Sequence, residues 1–245
     1  MNKILALWAV PRSTSTAFEW MMRQRGDMTC LHEPYGEAWY QGENPLWPRL
    51  TEDSLRTPGL TLESVSAKLL HTAKTKSVFI KDFPHYIDHL WTDELLSHFN
   101  HSFLIRHPAK TITSMFSKWP DFHPKEVGFK EQRLLFDKLK KLHSTAPPLI
   151  DSDDLLADPY SMVKRWSNAV GIPFIKEALS WEPGARDEVS WWDGGSFHAN
   201  LRDSDGLKPQ KRKYVEIGDI PERVKAIYDE CMEHYEYLHA YRLQP

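Results

Sequence analysis

Between residues 11 and 16 the chain reads Pro11-Arg12-Ser13-Thr14-Ser15-Thr16, one cation followed by four successive hydroxyl side chains. Set between a strand and a helix, such a turn binds anions. Unpaired backbone N–H groups and the helix dipole point at the ligand, the hydroxyls add donors, and Arg12 supplies a fixed charge. The same residues are equally compatible with an N-cap cluster that satisfies the helix's own orphan amides. A second cluster follows in Phe103-Leu104-Ile105-Arg106-His107-Pro108 with Thr111, Thr113 and Ser114. An arginine leaving a strand end and a hydroxyl two turns into the next helix can grip one phosphate from two sides. Taken singly, neither Arg106 nor Ser114 requires a ligand. The Walker A pattern G-x-x-x-x-G-K-[ST] is absent, which argues against phosphotransfer from ATP or GTP.

Elements must hold those residues in place, and the hydrophobic pattern supplies them. Short apolar runs alternate with helical stripes. Strands are expected at Lys3–Val10, Met28–His32, Ser77–Lys81, Ser102–Arg106 and Pro148–Asp151. Helices are expected at Ser15–Arg25, Ala109–Lys118, Gly128–His143 and Tyr160–Val170, with stripes at Leu62–Leu70 and Ile87–Leu96. Residues 33–61 show no clean period and read as a long irregular loop. A final helix over about 219–241 is introduced by a capping box, Asp219-x-x-Glu222, with Pro221 in its first turn. This alternation implies one α/β domain over residues 1–245: three α/β/α layers around a central, mainly parallel sheet of about five strands. Ligands of such sheets lie beyond the strands' C-terminal ends, where both clusters fall.

Composition narrows the function classes. Over 245 residues, 31 Lys+Arg against 34 Asp+Glu leave a net charge of −3, too little basic excess for a nucleic-acid track. Cys30 and Cys231 form neither a disulfide framework nor a metal-ligand spacing. His85 and His89 stand four apart without an H-E-x-x-H pattern or a third ligand, so no metal is invoked. The apolar run Ile4–Val10 is at the lower limit for a signal peptide and better explained as a buried strand. No stretch approaches the ~20 apolar residues of a membrane span. A cytoplasmic protein, off the membrane, is expected.

Order and spacing of these motifs resemble the sulfotransferases that use 3′-phosphoadenosine 5′-phosphosulfate (PAPS) and release 3′-phosphoadenosine 5′-phosphate (PAP). That superfamily has a P-loop-NTPase-like α/β fold. Its first loop, P-[KR]-S-G-[ST]-T, is similar to residues 11–16, with Thr14 where glycine is usual. Its strand-end Arg and Ser eight residues later, which hold the 3′-phosphate, are matched in spacing by Arg106 and Ser114. The tyrosyl-protein branch is resembled by Arg12, by His32-Glu33-Pro34 and by Lys81-Asp82-Phe83. The resemblance covers roughly residues 1–155, ending near Asp153-Asp154-Leu155. A C-terminal Arg-Lys-Gly closes the 3′-phosphate site in cytosolic members. Here Lys211 and Arg212 of Lys211-Arg212-Lys213, or Arg202, are candidates for that role, and Lys208–Lys213 is equally a solvated charge run.

What the resemblance implies is in-line sulfuryl transfer to a hydroxyl, with a carboxylate or histidine as base and no metal. Glu33, which follows the second strand, is the first candidate base, with His32 and His85 as alternatives. Arg12 stays protonated and would stabilise charge on the departing phosphate, shared with Lys81 unless Lys81 is an ordinary surface residue. Tyr35, Trp39, Tyr40 and Trp47, together with Trp191-Trp192 beside paired glycines, either cover an apolar or aromatic small-molecule alcohol or pack a loop onto the core. Two other classes stay open: a P-loop-related kinase using a nucleoside triphosphate, and a nucleotide-binding module without turnover.

Overall fold

Every residue of strand β1 (Ile4–Ala9) is buried, as expected of a strand covered on both faces by helices. In the computed structural model, which describes residues 3–184, 187–189, 199–209 and 215–245, β1 is the centre of a five-stranded sheet. The other strands are β2 (Thr29–His32), β3 (Val78–Asp82), β4 (Phe99–Ile105) and β5 (Leu149–Asp151). Their order is β2-β3-β1-β4-β5 and all four pairings are parallel. The chain leaves β1 toward one edge, returns beside it as β3, and then builds β4 and β5 on its other side. The strand order therefore reverses at β1, and the crevice at such a reversal is where open α/β sheets bind ligands.

Helices cover both faces: α1 (Ser15–Gln24), α2 (Pro34–Gln41), α3 (Leu62–Thr72), α4 (Asp93–Ser97), α5 (Pro108–Lys118), α6 (Phe129–His143), α7 (Ser152–Ala157), α8 (Pro159–Val170), α9 (Ala199–Arg202) and α10 (Glu222–His239). Buried polar groups pin the sheet. Gln132 of α6 donates to the carbonyls of Trp8 and Leu104, both at 3.0 Å, tying the ends of β1 and β4 together just before their loops diverge. The Trp8 indole N–H donates to His101 Nδ1 at 2.9 Å, and His101 Nε2 lies 3.0 Å from the Leu96 carbonyl. Burial pushes the His101 imidazole down to about 4, so it stays neutral there.

Three expectations are corrected. Residues 33–61 are not a structureless loop, because α2 opens them. That helix hides from a periodicity search: Tyr35, Gly36, Ala38, Trp39 and Tyr40 are all buried, so it shows little polar face. Gly36 is required there, since a Cβ would lie 2.7 Å from the Tyr86 ring. The stripe from Ile87 to Leu96 is broken. Short 3-10 turns at Pro84–Tyr86 and Asp88–Leu90 precede α4, whose start is set by the Thr92 hydroxyl accepting from Leu95 N–H at 3.1 Å. Finally, Asp219 does not cap α10. It ends a 3-10 turn at Ile217–Asp219, and the extended Ile220 and Pro221 separate it from the helix.

Candidate active site

The turn between β1 and α1 is strained. Arg12 (φ 65°) and Thr14 (φ 72°) both occupy the left-handed region, which costs a non-glycine residue about 1–3 kcal/mol. Thr14 thus stands where a glycine would be easier, in the conformation that glycine favours. Its hydroxyl oxygen accepts from the Ser152 hydroxyl at 2.8 Å, and its carbonyl accepts from Phe18 N–H at 3.1 Å. The Thr14 side chain makes no cap bond to α1, contrary to the N-cap alternative, so it takes none of the first-turn amides of the helix. The Ser13 hydroxyl is spent inside the turn on the Val10 carbonyl at 2.7 Å. Residues 11–17 line a cleft that is open to solvent.

Arg106 and Ser114 line the same cleft, and Arg12 links them to the turn. The guanidinium of buried Arg106 donates through Nη1 to the Arg12 carbonyl at 3.1 Å, while Arg12 Nε donates to Ser114 Oγ at 3.0 Å. The two clusters therefore share one cleft.

The ends of β2 and β3 add a chain of charges. Glu33, directly after β2, is a third left-handed residue (φ 42°) and accepts from the ammonium of the fully buried Lys81. His32 Nε2 lies 3.8 Å from Glu33 Oε1, and His32 Nδ1 lies 2.6 Å from Oε2 of Glu19, a carboxylate of α1 without solvent exposure. Arg23 takes the other Glu19 oxygen through Nε at 3.0 Å and Nη2 at 2.7 Å. Burial opposes the Glu19 charge, yet His32, Lys81 and Arg23 hold its carboxyl down to about 2. Burial, reinforced by the charge of Glu33, keeps the Asp82 carboxyl well above its usual range, while it accepts from Tyr35 and Phe83 N–H at 2.8 and 3.0 Å.

His32 and Glu33 face the cleft, whereas Lys81 stands behind Glu33 and outside the lining. His85 is outside it too, packed on Trp39, Phe83 and Tyr86, and burial pushes its imidazole down to about 3. Of the loop aromatics, Tyr40 lines the cleft while Tyr35 and Trp39 belong to the core. Sequence reasoning missed Tyr86, Met115 and Trp119 in the lining, and named Phe83 only as part of a motif. It also missed a wall that contains Leu156, Leu201, Ser204 and Leu207. That wall hangs on Trp181, whose indole N–H donates to Ser204 Oγ at 3.0 Å, and on a bridge between Ser180 and Gly206. Arg202 is exposed and outside the lining; Lys208 reaches it. Lys211, Arg212 and Trp191-Trp192 lie outside the described residues. Among the described residues no three His, Cys, Asp or Glu side chains group as a metal site, and no helix is long and apolar enough to cross a membrane.

A five-stranded parallel sheet with helices on both faces and a cleft at its switch point defines an open α/β class. Within it, residues 2–216 match a family model described as a sulfotransferase domain, and the chain belongs to that family. The match runs well past residue 155, where the sequence resemblance ended. Two solved structures share the fold. Mouse sulfotransferase SULT7A1, complexed with PAP, has a TM-score of 0.56 and 13% identity, with 98% of this chain and 90% of that one covered. The sulfotransferase domain of the Synechococcus PCC 7002 olefin synthase has a TM-score of 0.51 and 17% identity, with 96% and 95% covered. Among curated proteins, the chain is similar to branched-chain-amino-acid aminotransferase-like protein 2 of Arabidopsis thaliana, 28% identical over 212 residues and 85% of this chain. Protein 1 of that name, also from Arabidopsis thaliana, is 25% identical over 86% of this chain. The chain spans 37% of the length of either.

Proposed function

We propose that this protein transfers the sulfuryl group of PAPS to a hydroxyl of a small cytoplasmic molecule and releases PAP. One observation supports the reading: Arg12 of the first cluster hydrogen-bonds to both Arg106 and Ser114 of the second, so the two clusters open into one cleft beside His32 and Glu33. Amides of residues 13–16 and the hydroxyls of residues 14–16, with Arg12, would hold the 5′-phosphosulfate. Arg106 and Ser114 would hold the 3′-phosphate. A described basic residue in the lining, Lys208, is the nearest alternative to Lys211, Arg212 or Arg202 for closing that end.

The chemistry asks for a base at the acceptor hydroxyl and positive charge at the bridging oxygen. His32 and Glu33 are the groups able to take the proton, and Arg12 stabilises charge on the departing phosphate. Lys81 acts from behind by fixing Glu33. Tyr40, Phe83, Tyr86, Met115 and Trp119 give the acceptor end an aromatic wall, suited to an apolar or aromatic alcohol. Two buried free cysteines fit a reducing compartment.

Thermal shift tests the donor. PAP should raise the melting temperature, by about 2.7 kcal/mol of stabilisation at a hundredfold excess over its dissociation constant. Stabilisation by ATP–Mg²⁺ alone would replace the reading with a kinase. PAP binding without transfer to any alcohol in a metabolite screen with labelled PAPS would leave a nucleotide-binding module.

A further inference from the structure

We propose that Glu19 is the positioning residue of this reaction: it fixes the His32 imidazole so that Nε2 removes the acceptor's proton. The inference rests on the sulfuryl-transfer reading and assigns its base.

Glu19 lies on a face of α1 otherwise made of Phe18, Trp20, Met21 and Met22, with no solvent exposure. A carboxylate in such a place is costly unless it is fully paired, and Glu19 is: Arg23 holds Oε1 and His32 Nδ1 meets Oε2 at 2.6 Å. Because this carboxyl is ionised, it can only accept. The Nδ1 must therefore carry the proton, and a neutral ring presents its lone pair at Nε2. Both His32 and Glu33 line the cleft, and the 3.8 Å between Nε2 and Glu33 Oε1 is too long for a direct hydrogen bond. A hydroxyl oxygen placed against both atoms would fill that gap. Glu33 is less suited to take the proton, because Oε1 already accepts from Lys81.

The step balances. As the acceptor oxygen bonds to sulfur, its O–H bond breaks and the proton passes to Nε2. The bond from sulfur to the bridging oxygen breaks, and its electron pair leaves on the bisphosphate. The resulting imidazolium lies between Glu19 and Glu33, as a triad histidine lies against its carboxylate. Charged groups around His32 among the described residues include Glu19 and Arg23 from α1, Glu33 after β2 and Lys81 from β3. Glu37, Lys68 and Glu188 share with it a second cavity that also touches Cys30, whose thiol burial pushes up to about 12.

The test combines histidine ¹⁵N spectra with kinetics. Above the titration range of imidazole, wild-type His32 should carry its proton on Nδ1; a proton on Nε2 overturns the proposal. Glu19→Gln should slow transfer from PAPS to 2-naphthol by roughly tenfold or more while PAP affinity stays within about twofold. It should also move the acidic limb of the pH–rate profile to lower pH, since the imidazole loses its anionic partner. An unmoved limb would mean that Glu19 serves the fold alone. If Glu19→Gln does not fold, His32→Gln should cost at least as much transfer as Glu33→Gln, and the reverse order overturns the assignment. A wild-type protein that binds no PAP and sulfates no alcohol would instead remove the sulfotransferase reading, with the tautomer measurement still deciding the Glu19–His32 pairing.

Discussion

Arg106 and His85 behave oppositely once their surroundings are known. Arg106 is a buried cation that lines the cleft and is held by the Arg12 carbonyl. Charge-assisted hydrogen bonds are worth about 1.5–3 kcal/mol, so Arg106→Ala should weaken PAP binding by roughly tenfold to a hundredfold and at least halve the stabilisation seen in the thermal shift. An unchanged shift would take Arg106 out of the site. His85 has no hydrogen-bond partner for either ring nitrogen among the described residues and lies outside the cleft. Gly128 packs so closely that a Cβ there would come 2.4 Å from His85 Nδ1. His85→Leu removes an unpaired buried polar group that costs about 1–3 kcal/mol, so it should raise the melting temperature and leave transfer intact. Lost transfer in a folded His85→Leu protein would return His85 to the catalytic set.

Between elements, the anion turn depends on a helix the sequence did not announce. α7 begins at Ser152 and is capped by Asp151, whose carboxylate accepts from Asp153 N–H at 2.7 Å and from the Tyr235 hydroxyl at 3.0 Å. Ser152 in turn holds Thr14 in its left-handed conformation. Ser152→Ala should cost about 1 kcal/mol, read as a melting temperature roughly 2–4 °C lower and PAP affinity reduced several-fold. Affinity equal to wild type would mean that the turn keeps its shape unaided. The five strands and the turn were legible because each strand is a short apolar run and the hydroxyls are contiguous. Arg106 and Ser114 were legible because a strand and a regular helix fix their separation. The aromatic wall was not: Tyr40, Tyr86 and Trp119 come from α2, a 3-10 turn and the residue after α5, and tertiary contact alone unites them. Glu19 was hidden for a similar reason, since a lone acidic residue beside Phe18 and Trp20 announces no partner 13 positions away.

For the molecule as a whole, the buried ionisable groups set its response to acid. Glu19 is held down at about 2 against an ordinary 4.5, so its contribution to stability is complete above about 4.5 and is lost as pH falls toward 2. His85 and His101, pushed down to about 3 and about 4, act in the same sense: the unfolded chain binds their protons first, and stability falls as pH drops below about 6.5. Asp82 and Asp151, both raised by burial, oppose them, favouring the fold at low pH and losing that contribution as pH rises through their elevated values. Three groups against two, with both histidines acting from about pH 6.5 downward, predict a melting temperature that declines below about pH 6.5, with Glu19→Gln flattening the most acidic part and His85→Leu the part above it. A melting temperature constant from pH 7 to 4 would contradict this balance.

The stitch through Arg12 carries a further consequence for substrate choice. One side chain reaches Ser114 while its own peptide oxygen is gripped by Arg106, so neither half of the cradle is set independently of the other. On the proposed reading, adenosine 5′-phosphosulfate, which lacks the 3′-phosphoryl group, would forfeit more than the contacts to Arg106 and Ser114: the turn around Arg12 would loosen with them. Discrimination between the two nucleotides would then reside in the peptide backbone of a single turn.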